Sequence, residues 1–181
     1  NSQISYVHID FNESHWHYEI GNFDKSIQML DQLEMRLKNS EGDTYLNLSS
    51  FIKGSCLYSR GDFERSKQLF LMRINDLETN NNKKMLLANF AYYCLCLKNL
   101  NEKFDKIKLY EIIQDNEDEI SYELNFRLYE LLGEESYLIK AYNQVIHLSK
   151  QMNEELQNRF LSYHIQKGIL DNYKILFPGK S

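Results

Sequence analysis

Proline and glycine are scarce in this chain of 181 residues. There is one proline, Pro178, close to the C-terminus, and there are seven glycines. A sheet protein of this length would use both residues frequently in its turns, and its strands would show alternation of apolar and polar residues. That alternation is missing over any useful length. The sequence therefore predicts an all-α fold of nine or ten helices with no sheet.

Positive charge is also in the minority. Lys and Arg number 21 against 26 Asp and Glu, which gives a formal net charge of -5. A protein that binds nucleic acid needs a basic surface to displace the counterions of the phosphates. The densest basic stretch, residues 98–108, is diluted by acidic residues. We therefore expect no nucleic-acid partner.

Paired cysteines and long apolar runs are missing. Cys56, Cys94 and Cys96 are an odd number with no Cys-x-x-Cys pair, and each lies in an apolar helical stretch, which indicates buried, reduced thiols of a cytoplasmic protein. No apolar run reaches the roughly 18 residues of a membrane span, and no signal peptide opens the chain. We expect no membrane partner. Because the first residue, Asn1, is not methionine, we favour a fragment of a longer protein.

Patterns that carry catalysis or bind metals are not found. His15 and His17 flank Trp16, and His8 precedes them, but His17 points away from the helix face that His8 and His15 share. Cysteine or carboxylate partners at ligand spacing are missing. Phosphate-binding glycine loops and nucleophile motifs are missing as well. We expect no enzyme activity, no metal and no cofactor.

The most informative stretch surrounds Gly61. Gly54 and Gly61 are small residues seven apart, and Phe63, Ser66 and Phe70 follow at helical spacing. This pattern predicts a helix, a tight turn and a second helix, and it resembles the tetratricopeptide repeat. The resemblance implies that Gly54 lets the two helices approach closely and that Ser66 lies where the second helix touches the first.

The turn sequence occurs more than once. Gly21-Asn22-Phe23 matches Gly61-Asp62-Phe63, forty residues later, whereas the family repeats about every 34 residues. The resemblance predicts a single domain, 1–181, that contains four hairpins and a helical cap. The hairpins are expected over residues 4–39, 44–79, 83–116 and 117–152, and the cap over residues 153–177.

Two of these hairpins depart from the pattern. In the third, the turn at residues 98–104 has no glycine, so the sequence does not fix the length of this turn. In the fourth, alignment of Gly133 with Gly61 places Phe126 at the position of Gly54. We expect a bulky side chain at this contact to widen the hairpin.

The resemblance implies a right-handed superhelix of about four hairpins plus C-terminal capping helices. In this family the first helices line a concave groove that binds a peptide or a neighbouring domain. We predict a non-catalytic protein- or peptide-binding module, part of a larger signalling or regulatory protein, and self-association is a further possible interaction. The alignment places nine residues in the groove: Phe11, His15, Tyr18, Phe51, Ser55, Tyr58, Tyr92, Arg127 and Glu130.

The chemistry of this groove limits the kinds of ligand that it could bind. The residues at one end are aromatic, which suits an apolar peptide, and Arg127 at the other end could pair with an acidic residue of that peptide. Lys and Asn residues that clamp a C-terminal carboxylate elsewhere in the family are missing. An alternative of a different class is the peptide-sensing domain of a bacterial transcription regulator, which a helix-turn-helix before Asn1 would favour.

Overall fold

The structure is a computed structural model that describes residues 2–37, 43–80, 83–116 and 120–179. These residues form ten α-helices and no strand, which confirms the all-α prediction. The helices are α1 (Ser2–Glu19), α2 (Phe23–Leu37), α3 (Asp43–Ser59), α4 (Phe63–Thr79), α5 (Lys83–Asn99), α6 (Lys106–Gln114), α7 (Tyr122–Leu132), α8 (Glu135–Ser149), α9 (Glu154–Leu161) and α10 (His164–Leu176).

The chain divides into two compact units. Unit 1 ends at Asp105 and contains α1 to α5, and unit 2 begins at Lys106 and contains α6 to α10. The sequence predicted one domain, whereas the division falls inside its predicted third hairpin, 83–116. Residues 100–105 lie outside any helix, so α5 and α6 are separated by a non-helical segment.

Unit 1 is built from consecutive antiparallel neighbours. The helix α2 packs against both α1 and α3, and α4 packs against both α3 and α5. The helices α1, α3 and α5 are also neighbours of one another in that order. Unit 1 therefore has two layers, with α1, α3 and α5 in one and α2 and α4 in the other.

The α3–α4 turn has a defined hydrogen-bond pattern. Gly61 adopts a left-handed backbone conformation, with φ of 79°. Its N–H donates to the Tyr58 carbonyl at 2.9 Å, and the Asp62 N–H donates to the Leu57 carbonyl at 2.9 Å. These two bonds form a Schellman motif, which satisfies the last carbonyls of a helix and favours glycine. The turn at Gly21 is closed in the same way.

The third turn repeats this geometry without glycine. Asn101 has φ of 58°, and its N–H donates to the Lys98 carbonyl at 3.1 Å. The Glu102 N–H donates to the Leu97 carbonyl at 2.8 Å. Asparagine is one of the few residues that tolerate this conformation. Positions 21, 61 and 101 therefore mark a regular forty-residue repeat in unit 1.

The predicted close contact at Gly54 is confirmed. A Cβ atom on Gly54 would lie 2.8 Å from Cζ of Phe70, a distance that the fold cannot accommodate without a shift. The Ser66 hydroxyl donates to the Gly54 carbonyl at 2.9 Å. Both small residues therefore lie where α3 and α4 touch.

Unit 2 uses the opposite arrangement of large and small residues. Phe126 on α7 is buried, and a Cβ atom on Gly168 of α10 would lie 3.2 Å from its ring. The helices α7 and α8 nevertheless pack along each other, and α10 packs against both. The ring that we expected to widen the hairpin is thus accommodated by a glycine on a third helix.

Candidate functional site

Aromatic side chains from α1, α3 and α5 gather in unit 1. Because residues three and four apart share a helix face, α1 and α3 each contribute a short row of rings, and α5 contributes one ring. We call this group the aromatic cluster, and it consists of Phe11, His15, Tyr18, Phe51, Tyr58 and Tyr92.

Tyr92 is the centre of this cluster. Its ring is stacked on Phe70 at a centroid distance of 5.1 Å, and it meets Phe51 and Tyr58 edge to face at 5.7 and 5.5 Å. Its hydroxyl lies 3.2 Å from that of Tyr18. Since Tyr18 is on α1 and Tyr92 on α5, this hydrogen bond joins the two helices that flank α3.

His15 is the polar and accessible member of the aromatic cluster. Its imidazole is stacked between Phe11 and Tyr18, with ring centroids 6.4 and 6.2 Å away. Its Nε2 lies 3.4 Å from a carboxylate oxygen of Glu19, and 47% of the side chain is exposed. A ligand that reaches this surface would meet a flat ring that can donate or accept a hydrogen bond.

The structure corrects the predicted groove in unit 1. Tyr18 and Tyr92 are 2% and 1% exposed, and Ser55 has no exposed surface. The Ser55 hydroxyl donates to the Phe51 carbonyl at 3.0 Å. These three residues are packing residues, so the accessible part of the predicted site consists of Phe11, Phe51 and Tyr58, which are half-buried, and the exposed His15.

The structure pairs the two charged residues predicted in the groove, Arg127 and Glu130, with each other. Arg127 is 5% exposed, and its guanidinium donates to Glu130 at 2.7 Å. The guanidinium also lies 5.7 Å from the centroid of the Phe126 ring. Because its side chain is buried and these contacts use its charge within unit 2, Arg127 has little surface available to a ligand.

Unit 2 contains a cleft that the sequence did not predict. It has a volume of about 360 Å³, and Glu130 is the only one of its lining residues that we had assigned to a site. The cleft forms because α10 returns to the end of α7, which no local sequence pattern indicates. Its lining residues are Tyr129, Glu130, Gly133, Glu135, Asn172 and Leu176.

The cysteines are buried and form no disulfide, as predicted. Burial raises the pKa of both the Cys56 and the Cys96 thiols to about 11. The Cys96 thiol donates to the Ser66 hydroxyl at 3.3 Å. A thiol that stays protonated and buried is a weak nucleophile, so neither residue has the properties of a catalytic cysteine.

The part of the chain that the structure describes has neither a metal-binding cluster nor a membrane-spanning helix. No group of three or more His, Cys, Asp or Glu side chains is placed there to hold a metal ion. No helix among these residues is both long and apolar enough to cross a membrane.

Comparison of the chain with protein-family models, curated proteins and solved structures gives no match. The resemblance to the tetratricopeptide repeat therefore rests on the turn and contact residues of the sequence. It remains a prediction.

Proposed function

We propose that the chain is a non-catalytic module of tetratricopeptide-like hairpins that binds a protein or peptide through the aromatic cluster of unit 1. The observation that supports this proposal is the meeting of rings from three helices, with Phe11, Phe51 and Tyr58 half-buried and His15 exposed. Aromatic residues are frequent anchors in protein interfaces because they bury a large area at a small cost in conformational entropy.

The packing of this cluster favours a preorganised binding surface. The hydrogen bond between Tyr18 and Tyr92 and the stacking of Tyr92 on Phe70 fix the rings beneath the accessible ones. A surface that is already ordered loses little entropy when a ligand binds. An apolar peptide with a hydrogen-bonding group near His15 fits these features.

We also propose a cytoplasmic location. Three buried thiols that form no disulfide suit a reducing compartment.

Selection of peptides on the purified chain tests the binding proposal. A displayed library of random peptides would be selected on the chain, and the affinity of the recovered peptides would be measured by titration calorimetry. We expect His15→Ala and Tyr58→Ala each to weaken binding about tenfold or more, which corresponds to the loss of roughly 1.4 kcal/mol or more at an interface anchor.

The control is Met72→Ala on α4, which removes an exposed apolar side chain from the other layer of unit 1. This variant should bind the selected peptides as the wild-type chain does. Because His15 is exposed, the His15→Ala variant should fold normally, and circular dichroism would verify this. If Met72→Ala abolishes binding while His15→Ala and Tyr58→Ala leave it intact, the proposed surface is wrong.

A further inference from the structure

Apolar side chains form an exposed stripe along α1 and the residue that follows it, Ile20. Tyr6, Ile9, Trp16 and Ile20 are 65%, 57%, 40% and 39% exposed. Their spacing places them on one face of the helix, and we call them the α1 stripe. Grouped exposed apolar residues indicate an interaction surface.

The forty-residue repeat of unit 1 shows what the equivalent face contacts on α3 and α5. The positions equivalent to Trp16 are Cys56 on α3 and Cys96 on α5, and both are fully buried. The Cys56 thiol faces the Ser26 hydroxyl of α2, and the Cys96 thiol donates to the Ser66 hydroxyl of α4. On α3 and α5 this face therefore packs against the preceding helix.

The rest of the α1 stripe follows the same rule. The positions equivalent to Ile9 are Ser49 and Asn89, and neither has any exposed surface. The position equivalent to Ile20 is Arg60, directly after α3, which pairs with Asp24 of α2 at 2.7 Å. From Ile9 to Ile20, this face of α1 therefore corresponds to the face of α3 that contacts the preceding helix.

The charge on this face identifies the kind of helix that fits it. Lys53 on α3 pairs with Asp31 and with Glu34 of the preceding helix, the latter at 3.1 Å. The equivalent position on α1 is Glu13, which is exposed. The sign is reversed, so a helix with the acidic residues of α2 would be repelled there, and a helix with a basic residue would be attracted.

We propose that the α1 stripe binds an amphipathic helix of a partner protein. This helix runs antiparallel to α1, as α2 does to α3, and it carries a small residue opposite Trp16 and Lys or Arg opposite Glu13. Trp16 is much larger than the equivalent cysteines, so the small residue is needed for close approach.

The α2 sequence supplies a probe for this interaction. A synthetic peptide of residues 23–37 with Asp31→Lys and Glu34→Lys keeps the apolar face and Ser26 of α2 but carries the charge that suits Glu13. The unchanged peptide is the matched control. Trp16 is the only tryptophan of the chain, and neither peptide contains one, so the emission of Trp16 reports binding at this face directly.

We expect the lysine peptide to shift the Trp16 emission to shorter wavelength and to bind about tenfold more tightly than the unchanged peptide at low salt. The substitution Glu13→Lys in the full chain should reverse this preference. Ile9→Glu should prevent binding, whereas Met35→Glu, an equally exposed site on α2, should have no effect.

Two results would overturn the proposal. One is a wild-type chain that binds both peptides equally, or binds neither. The other is a dimer of the chain itself, seen by sedimentation and lost in Ile9→Glu, because the α1 stripe would then be covered by a second copy.

Discussion

Gly54 has almost no room for a side chain. The nearest ring atom of Phe70 lies 2.8 Å from the position of an added Cβ, against 3.2 Å for the corresponding contact of Gly168 with Phe126. Both contacts are with an aromatic ring on another helix. A ring within a filled core cannot move away without displacing its own neighbours.

We predict that Gly54→Ala lowers the free energy of unfolding by roughly 1–3 kcal/mol, because the methyl group overpacks the α3–α4 contact. Gly168→Ala should cost less, because its contact is longer. Denaturant titrations of both variants measure the difference. The double variant Gly54→Ala, Phe70→Leu should lose less stability than the sum of the two single variants, because the smaller side chain makes room for the methyl group. If the two losses simply add, residues 54 and 70 are not in contact.

The thiols of Cys56 and Cys96 predict a dependence of stability on pH. Their pKa is raised by burial from 9.0 to about 11, so the folded state retains protons that the unfolded state loses. The contribution of these thiols to the free energy of unfolding should therefore be constant below about pH 9 and fall between about pH 9 and 11. Denaturant titrations at pH 8 and at about pH 10.5 test this.

The control for the thiols is the double variant Cys56→Ala, Cys96→Ala. Lysines and tyrosines titrate in the same range, so only the difference between this variant and the wild type is informative. The variant should lose less stability between the two pH values. An identical loss would show that burial does not perturb the thiols.

At the scale of the helices, the three Schellman turns at positions 21, 61 and 101 organise unit 1. The first two could be predicted from the sequence because Gly21 and Gly61 are each followed by a polar residue and then phenylalanine. The third could not, because Asn101 has no such neighbours. Its tolerance of a left-handed backbone is clear only when the φ angle is known.

The turn at Asn101 gives a prediction for α5. Asn101→Ala should lower the free energy of unfolding by roughly 1 kcal/mol, because alanine is strained at a φ of 58°. Asn101→Gly should be close to neutral. Glycine adopts the left-handed conformation without strain, but this gain is offset because it has more backbone freedom in the unfolded state. Thermal melts of the two variants distinguish them. Equal melting temperatures would mean that this residue is not left-handed.

The aromatic cluster shows what helical spacing can and cannot predict about a site. Spacing places Phe51, Ser55 and Tyr58 on one face of α3, and the structure brings them to the same side of unit 1. Helical spacing does not indicate which of these residues are covered by neighbouring helices. The burial of Tyr18 and Tyr92 follows from their hydroxyls meeting across α3, a contact between residues 74 positions apart.

At the scale of the whole molecule, the division after Asp105 separates the two candidate surfaces from unit 2. The aromatic cluster and the α1 stripe both belong to unit 1, and the cleft beside α10 belongs to unit 2. Sequence periodicity predicted the helices on both sides of the division. It could not predict the division itself, because compactness depends on contacts between distant residues.

We predict that residues 1–105 fold and bind without unit 2. The contacts that join the rings of α1, α3, α4 and α5 lie within this segment, so it should give a circular dichroism spectrum dominated by helix and a cooperative melt. It should also bind the selected peptides with the affinity of the whole chain. The matched control is a segment that ends at residue 80 and therefore lacks α5.

Without α5, Phe51, Tyr58 and Phe70 lose their contacts with Tyr92, and Tyr18 loses its hydrogen-bond partner. The shorter segment should therefore melt at a lower temperature and bind these peptides weakly or not at all. If residues 1–105 are unfolded alone, unit 1 depends on unit 2 for its stability. If the shorter segment binds as well as the longer one, Tyr92 does not organise the site.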